Sequence, residues 1–352
     1  MKCSLLNLRY NRRYKYKFRK YKLQKYSAKE EQLMPYPMKM QPAFKDYMWG
    51  GARLVNEYNK DTPLRPVAES WEVSCHPDGL SVVANGEFTG RALADVLAEF
   101  PSLVGSCYKG MEFPLLIKLI DTGQKLSIQV HPNDSYAKKN ENQSGKNEAW
   151  YIMDADKNAG IYLGFKEKMH RKELLEHIIG NTIVEHLDEI PIESGDFFEI
   201  PAGMLHSIGV GCLIVEVQQN SNVTYRVYDY ERTDSNGNKR EIHINKALDV
   251  IDTELRVKKT QPREIKQLDG YSCVKLTDWQ HFSMDLLDIE TKAKMTSSDA
   301  KFQCILLLDG TLSVLYGNEK EVSIKIGESI FIPAGIGNWA IEGKGKALRI
   351  IA

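Results

Sequence analysis

Two stretches of this chain, "SGDFFEIPAGMLHSIG" (194–209) and "IGESIFIPAGIGNWAI" (326–341), follow one plan. In each, a glycine and an acidic residue lead into an apolar run that ends at Ile-Pro-Ala-Gly. Proline cannot donate to a sheet ladder and glycine readily enters left-handed turns, so Pro-Ala-Gly stops a strand. The interval from Gly195 to Gly327 is domain-sized, which predicts two related β-domains in tandem. The copies differ at one telling position: His206 in the first is matched by Asn338 in the second. A duplicated β-domain with an imidazole in only one copy predicts one active half and one structural half.

The rest of the chain fits that frame. Short runs rich in β-formers, "AESWEVSCH", "LSVVANG", "KLSIQVHP", "EAWYIMDA" and "AGIYLGF", are separated by Gly, Asp, Asn and Pro. Such spacing reads as sandwich or barrel strands. Helical patterns interrupt it. "RALADVLAEFPSLV" sets Leu93, Val96, Leu97 and Phe100 on one side, "KEKMHRKELLEHIIGN" stops at Gly180-Asn181, and "INKALDVIDTEL" is a third short helix. A second β-rich stretch runs from about Lys266 to the end. The expected fold is mainly β: two tandem barrels with a few short helices. An N-terminal domain spans 34–245 and carries the site, a helical linker spans 246–262, and a degenerate second domain spans 263–352.

Residues 1–31 stand apart. They hold 11 Lys/Arg against 2 Asp/Glu, interleaved with tyrosine as in "LRYNRRYKYKFRKYKLQKY". Such a stretch suits RNA or an acidic surface; it lacks the apolar core of a secretory signal. The plainer expectation is a disordered tail over 1–33, or sequence upstream of a start at Met34, Met38 or Met40. The remainder carries 36 Lys/Arg and 45 Asp/Glu, a balance of −9, which gives nucleic-acid binding by the main fold no support. No apolar run is long enough to span a bilayer. Six scattered cysteines without a C-x-x-C pair argue against a disulfide framework, so a reducing cytoplasm is the expected compartment.

In "KLSIQVHPND", Leu126, Ile128 and Val130 alternate with Ser127, Gln129 and His131. Period-2 patterning puts the hydroxyl, amide and imidazole on one strand face. Polar groups aligned on an inward face are costly unless satisfied, and a shared ligand would satisfy them. Glu148 opens the next apparent strand, and His206 follows the first Pro-Ala-Gly. Either histidine alone is most simply a surface or satisfied core residue, and Glu148 alone a strand-end charge. Together, two imidazoles, a carboxylate and an amide oxygen make a mixed N/O shell that suits zinc, iron or manganese.

Gly195-x5-Pro201-x-Gly203-x2-His206 resembles the second motif of cupins, although Val210 stands where those proteins usually carry asparagine. "LSIQVHPND", "KNEAWYIM", "IPAGMLHSIG" and "EVQQNSNVTYRVYDYER", with "YMWGG" and "LLIKLID" before them, together resemble the type I mannose-6-phosphate isomerases. The match runs from about Met40 to Ala352 and is nearest to the short bacterial branch. The resemblance implies a cupin (double-stranded β-helix) fold and interconversion of mannose 6-phosphate and fructose 6-phosphate. It implies a zinc ion on Gln129, His131, Glu148 and His206, and a catalytic arginine at Arg226. Ser127, Lys118 and Lys146 match positions lining the sugar-phosphate pocket.

Aldose–ketose isomerisation moves a proton between C1 and C2. It needs a Lewis acid near the two oxygens, a base near the carbons, and cationic groups for the phosphate. Arg226 suits phosphate or a developing oxyanion; its plainer role is a salt bridge to Asp229 or Glu231. Lys118 in an apolar strand is either paired inward or snorkels to the surface. Lys146 is either on the ligand face or in a loop. His76 is the candidate base, with Lys146 and Asp229 behind it. Two other readings remain: another cupin enzyme, or a noncatalytic sugar-binding cupin. Gln129 argues against redox iron, which favours histidines and a carboxylate.

Overall fold

The computed structural model describes residues 34–233, 236–256, 263–318 and 320–352. The basic segment 1–33 and the end of the expected linker, 257–262, lie outside the described residues.

The described residues form three sheets, all antiparallel, and among them none is closed by hydrogen bonds. One has six strands, in spatial order Phe197–Ile200, Glu148–Ala155, Cys212–Gln219, Leu115–Asp121, Glu69–Ser74 and Ala43–Lys45. A second has five, in the order Tyr225–Tyr228, Ile128–Val130, His206–Ile208, Gly160–Phe165 and Leu187–Pro191. These two face each other. Trp150, Ile152 and Ile214 from one meet Ile161, Leu163 and Ile208 from the other in a shared core. The third sheet has ten strands and takes in most of the chain after Ile265. The fold is thus mainly β, with two cupin-like units in tandem, as the repeat predicts.

Alternation along the strands explains the layering. On Glu148–Ala155, Trp150 and Ile152 point into the sandwich, whereas Ala149, Tyr151 and Met153 join a second core on the far face. That second core also holds Leu115, Ile117, Leu119 and Val215 from the six-stranded sheet, with Phe282, Phe302, Phe331 and Leu348 from the C-terminal sheet. The two units therefore share one apolar layer. They also share strands: Met38–Gln41 pairs with Ser329–Ile332 of the C-terminal sheet, and Val82–Val83 pairs with Met38–Gln41.

The predicted helices form, in shortened versions, at Leu93–Glu99, Arg171–Ile179 and Ile244–Val250. The last two cover the outer face of the five-stranded sheet, where Leu174, Ile178, Ala247 and Leu248 pack on Ile128, Val130, Tyr225 and Val227. The Arg171–Ile179 helix ends at the expected Gly180-Asn181 pair, where Asn181 takes the left-handed conformation (φ 58°) and Gly180 stays right-handed. Two strands are shorter than their sequence pattern. "LSVVANG" yields only Val82–Val83, and "KLSIQVHP" pairs only over Ile128–Val130.

The repeat has a structural meaning. Gly203 (φ 92°) and Gly335 (φ 74°) both turn the chain in the left-handed region. Gly203 donates its N–H to the His131 carbonyl at 2.9 Å; in the second copy Gly335 donates to the Ser298 carbonyl at 2.9 Å. Each Pro-Ala-Gly turn thus tethers one strand end to another. His206 is buried, while Asn338 is exposed and bonds Thr296 on the neighbouring strand.

Candidate metal centre

Three backbone features deliver the site. The Gly203 tether holds the Pro-Ala-Gly turn against His131. Asn147, next to Glu148, accepts from the Ala202 N–H and donates its side-chain N–H to Gln219, fixing where the Glu148 strand begins. The Lys146 N–H donates to the Pro132 carbonyl, closing the loop between the two motif strands. Asn147 lies inside the "KNEAWYIM" motif, where nothing in the local pattern marks it as a site residue.

On the five-stranded sheet, Arg226, Gln129 and His206 are register partners in one row. Directly opposed residues of antiparallel strands project to the same face. On the facing sheet, Glu148 lies opposite Gln218. Between the sheets, His131, Glu148 and His206 bring their ligand atoms within 4.8 Å of one another, and all three are buried. His131 Nε2 is 3.3 Å from Glu148 Oε1, and His206 Nε2 is 3.8 Å from Glu148 Oε2. The two rings are 4.8 Å apart.

The tautomers follow from the outer bonds. His131 Nδ1 lies 2.8 Å from the Val223 carbonyl, and His206 Nδ1 lies 2.9 Å from the Met204 carbonyl. A carbonyl only accepts, so both Nδ1 atoms carry the proton and both Nε2 atoms present lone pairs. Those lone pairs face a carboxylate. Among the described residues Glu148 Oε2 and His206 Nε2 have no hydrogen-bond partner in their buried setting, and Glu148 Oε1 meets only the Lys146 ammonium, at 2.6 Å. Acceptors turned on one another away from water are stabilised by a cation between them. The donor set therefore fits a divalent metal.

Burial pushes both imidazoles down, His131 to about 4, which keeps them in the neutral, ligating form at neutral pH. Burial alone would raise Glu148; Lys146 and the imidazoles override it and hold the carboxyl well below the usual range. Lys146 lies in the loop before the Glu148 strand, yet it is buried, with Nζ 2.6 Å from Glu148 Oε1 and 3.2 Å from His131 Nε2, so it joins the cluster. Ser127 is buried and donates to Gln129 Oε1 at 3.3 Å, on the face the alternation predicts.

Lys118 does not snorkel. It is buried, 3.0 Å from Glu216 Oε1 and 3.6 Å from Glu69 Oε2, with its ammonium over the Trp71 ring. Burial would lower it, but Glu216 and Glu69 raise it above the ordinary lysine range. Trp150 Nε1 donates to Glu216 Oε2 at 3.0 Å, and the Trp150 ring stands edge-on to His206 at 5.5 Å. Glu216 and Trp150 thus link Lys118 to the His131–Glu148–His206 cluster. Both lie in quoted motifs, yet only the cross-strand register reveals their row.

Arg226 is half-buried and does not bridge to Asp229 or Glu231. Its Nη1 donates to the Glu241 carbonyl at 2.8 Å, and its Nε has no partner. Asp229 is instead gripped by Arg240 at 2.7 and 2.5 Å and by Arg232, while Glu231 pairs with Lys239. Burial, then the Arg240 charge, lowers the Arg226 guanidinium. Among the described residues Arg226 has no carboxylate partner, and two further guanidiniums stand beside it.

His76 does not join the cluster. It packs edge-on to Trp71 and lines a cavity of about 690 Å³ with Asp78, Asn142, Gln143 and Asn220. Its Nδ1 accepts from the Asp78 N–H at 3.2 Å, so the neutral ring carries its proton on Nε2.

Residues 38–160 match the family description "Phosphomannose isomerase type I, catalytic domain", and residues 274–352 match "Mannose-6-phosphate isomerase, cupin domain". The chain is 36% identical over 320 residues to a mannose-6-phosphate isomerase of Streptococcus mutans, covering 91% of this chain and 98% of that one. It superposes on the crystal structure of the mannose 6-phosphate isomerase from Bacillus subtilis with a TM-score of 0.82 at 34% identity, over 89% of this chain and 99% of that one. A phosphomannose isomerase variant from Salmonella typhimurium shares the fold at 16% identity and a TM-score of 0.72, over 89% and 98% of the two chains. The chain belongs to the type I phosphomannose isomerase family.

Proposed function

We propose that this chain interconverts D-mannose 6-phosphate and D-fructose 6-phosphate, using a zinc ion held by Gln129, His131, Glu148 and His206. The single observation that carries the metal reading is the convergence of two Nε2 lone pairs on the buried carboxylate of Glu148. Gln129 joins them by register, since it sits beside His206 on the same face. When bound, the ion supplies electrostatic stabilisation for negative charge on the substrate's O1 and O2.

The chain's own residues do the rest. Arg226 takes the phosphate or the developing oxyanion, because among the described residues its guanidinium has no carboxylate partner and it sits beside Gln129 in register. Arg232 and Arg240 lie nearby and add positive potential, with Asp229 fixing their forks. The Lys118 charge is already matched by Glu216 and Glu69, so it frames the site rather than binding phosphate. For proton exchange at O1 and O2 we assign Lys146, whose ammonium sits inside the cluster. His76 is poorly placed as a base, as its neutral ring presents Nε2–H and lines a cavity that does not include His131, Glu148 or His206. Asp229 is also a poor base, since paired arginines hold its carboxyl low even though burial opposes them. Catalysis is assigned to 34–245 and support to 263–352.

The test is chelation. Mannose 6-phosphate turnover should fall to background on removal of metal and return with zinc. Conversion that persists in protein shown to be metal-free would remove the metal from the proposal. A zinc-loaded, folded protein without turnover would remove the substrate.

A further inference from the structure

Strand Glu69–Ser74 carries acidic side chains in both directions. Glu69 and Trp71 face Lys118 and the site, and Trp71 Nε1 donates to Glu69 Oε2 at 2.6 Å. Glu72 points the other way and is fully buried. Its Oε1 lies 2.5 Å from the buried Lys60 Nζ and accepts from Ser70 Oγ at 2.6 Å. The cluster does not end in the N-terminal unit. Lys60 Nζ donates to the Gly327 carbonyl at 2.7 Å, and Ser329 Oγ donates to the Glu72 backbone carbonyl at 3.2 Å. Gly327 and Ser329 belong to the second copy of the repeat, the one without the histidine.

A buried ion pair is a poor source of stability, because an apolar pair of similar volume is often as good or better. What such a pair supplies is direction: an ammonium has few places to go once its carboxylate and carbonyl partners are set. Here the setting is made by the C-terminal unit on a strand whose opposite face is a wall of the site. Continuous contacts lead onward from Glu69 and Trp71 to Lys118, Glu216, Trp150 and His206.

We infer that Lys60 and Glu72 are positioning residues, a clasp by which the degenerate C-terminal unit sets strand Glu69–Ser74 and hence the Lys118 wall of the active site. The inference rests on the isomerase reading only for its kinetic readout. It gives the second copy a task of its own: the glycine turn and strand start that lead to the metal histidine in the first copy grip the catalytic unit in the second.

The test replaces the pair together, Lys60→Met with Glu72→Met, so that no buried charge is orphaned. We expect a folded protein with unchanged zinc content, a kcat lowered about five-fold or more, and faster amide hydrogen exchange confined to strand Glu69–Ser74. In a Lys118→Met background the same replacement should cost much less, because the wall it positions is already broken. If the double variant does not fold, Ser329→Ala, which removes one hydroxyl, should move kcat and exchange in the same direction by less. Wild-type kcat together with wild-type exchange in strand Glu69–Ser74 would overturn the clasp. Were the unaltered protein inactive on mannose 6-phosphate, the isomerase reading would fail separately, and the exchange experiment would still decide the clasp.

Discussion

Three buried side chains with their lone pairs turned on one another, His131, Glu148 and His206, form the candidate metal site. Replacing Glu148 by Gln keeps the shape but removes the charge that balances a divalent ion. Zinc content by mass spectrometry should drop from about one equivalent to well under a tenth, and turnover with it. Acid should act on the same trio in metal-free protein. His131 and His206 have folded-state values pushed below the ordinary 6.5, so the unfolded chain binds protons that the folded chain does not. Stability of the chelated protein is then full above pH 6.5 and lost as pH falls from there toward 4; Glu148, held low, extends the loss below 4.5. A denaturant midpoint in chelated protein that stays flat between pH 7 and 4 would contradict this. Arg226→Lys should lower kcat/KM by about ten-fold or more with little change in melting temperature, since an ammonium cannot offer a two-point fork. At this scale the motifs brought out the three residues that cluster, His131, Glu148 and His206. Local sequence left Arg226 two roles, a site contact or an ion pair. Its neighbours in sequence, Asp229 and Glu231, looked like partners, but Tyr230 and Glu231 turn at positive φ and Asp229 meets the returning Arg240 instead.

Strands decide which residues meet. Alternation in "KLSIQVHP" correctly put Ser127, Gln129 and His131 on one face, although the hydrogen-bonded strand is only three residues long. The facing row, Trp71–Lys118–Glu216–Trp150, is assembled by pairing among segments far apart in the chain. No local pattern encodes which strand neighbours which, so the row could be read only from the register. It has an energetic consequence. Lys118→Met would leave Glu69 and Glu216 buried without their cation and should cost about 3–5 kcal/mol in equilibrium denaturation, well beyond an ordinary surface substitution. Glu216→Gln alone would leave the Lys118–Glu69 contact and should cost less.

The whole molecule is two repeats that do not separate cleanly. Tandem organisation was visible in the duplicated Ile-Pro-Ala-Gly, because a turn glycine and a strand-stopping proline leave a mark that survives divergence. The shared apolar layer left no such mark, since Leu115, Ile117 and Phe302 look like any core residues until their neighbours are known. That layer predicts the fate of a cut chain. A product ending at residue 256 would expose the face that Phe282, Phe302, Phe331 and Leu348 cover, and should aggregate rather than yield a working half-enzyme, as judged by sedimentation. The pairing of Met38–Gln41 with Ser329–Ile332 also sets a clock on biosynthesis. Lys39 meets Ile330, about 290 residues later in the chain. At roughly 5–20 residues per second, the ribosome exposes that first strand some 15–60 s before its partner exists. Throughout that interval the nascent chain carries an unpaired edge, which makes the start of this protein a natural client for a ribosome-bound chaperone.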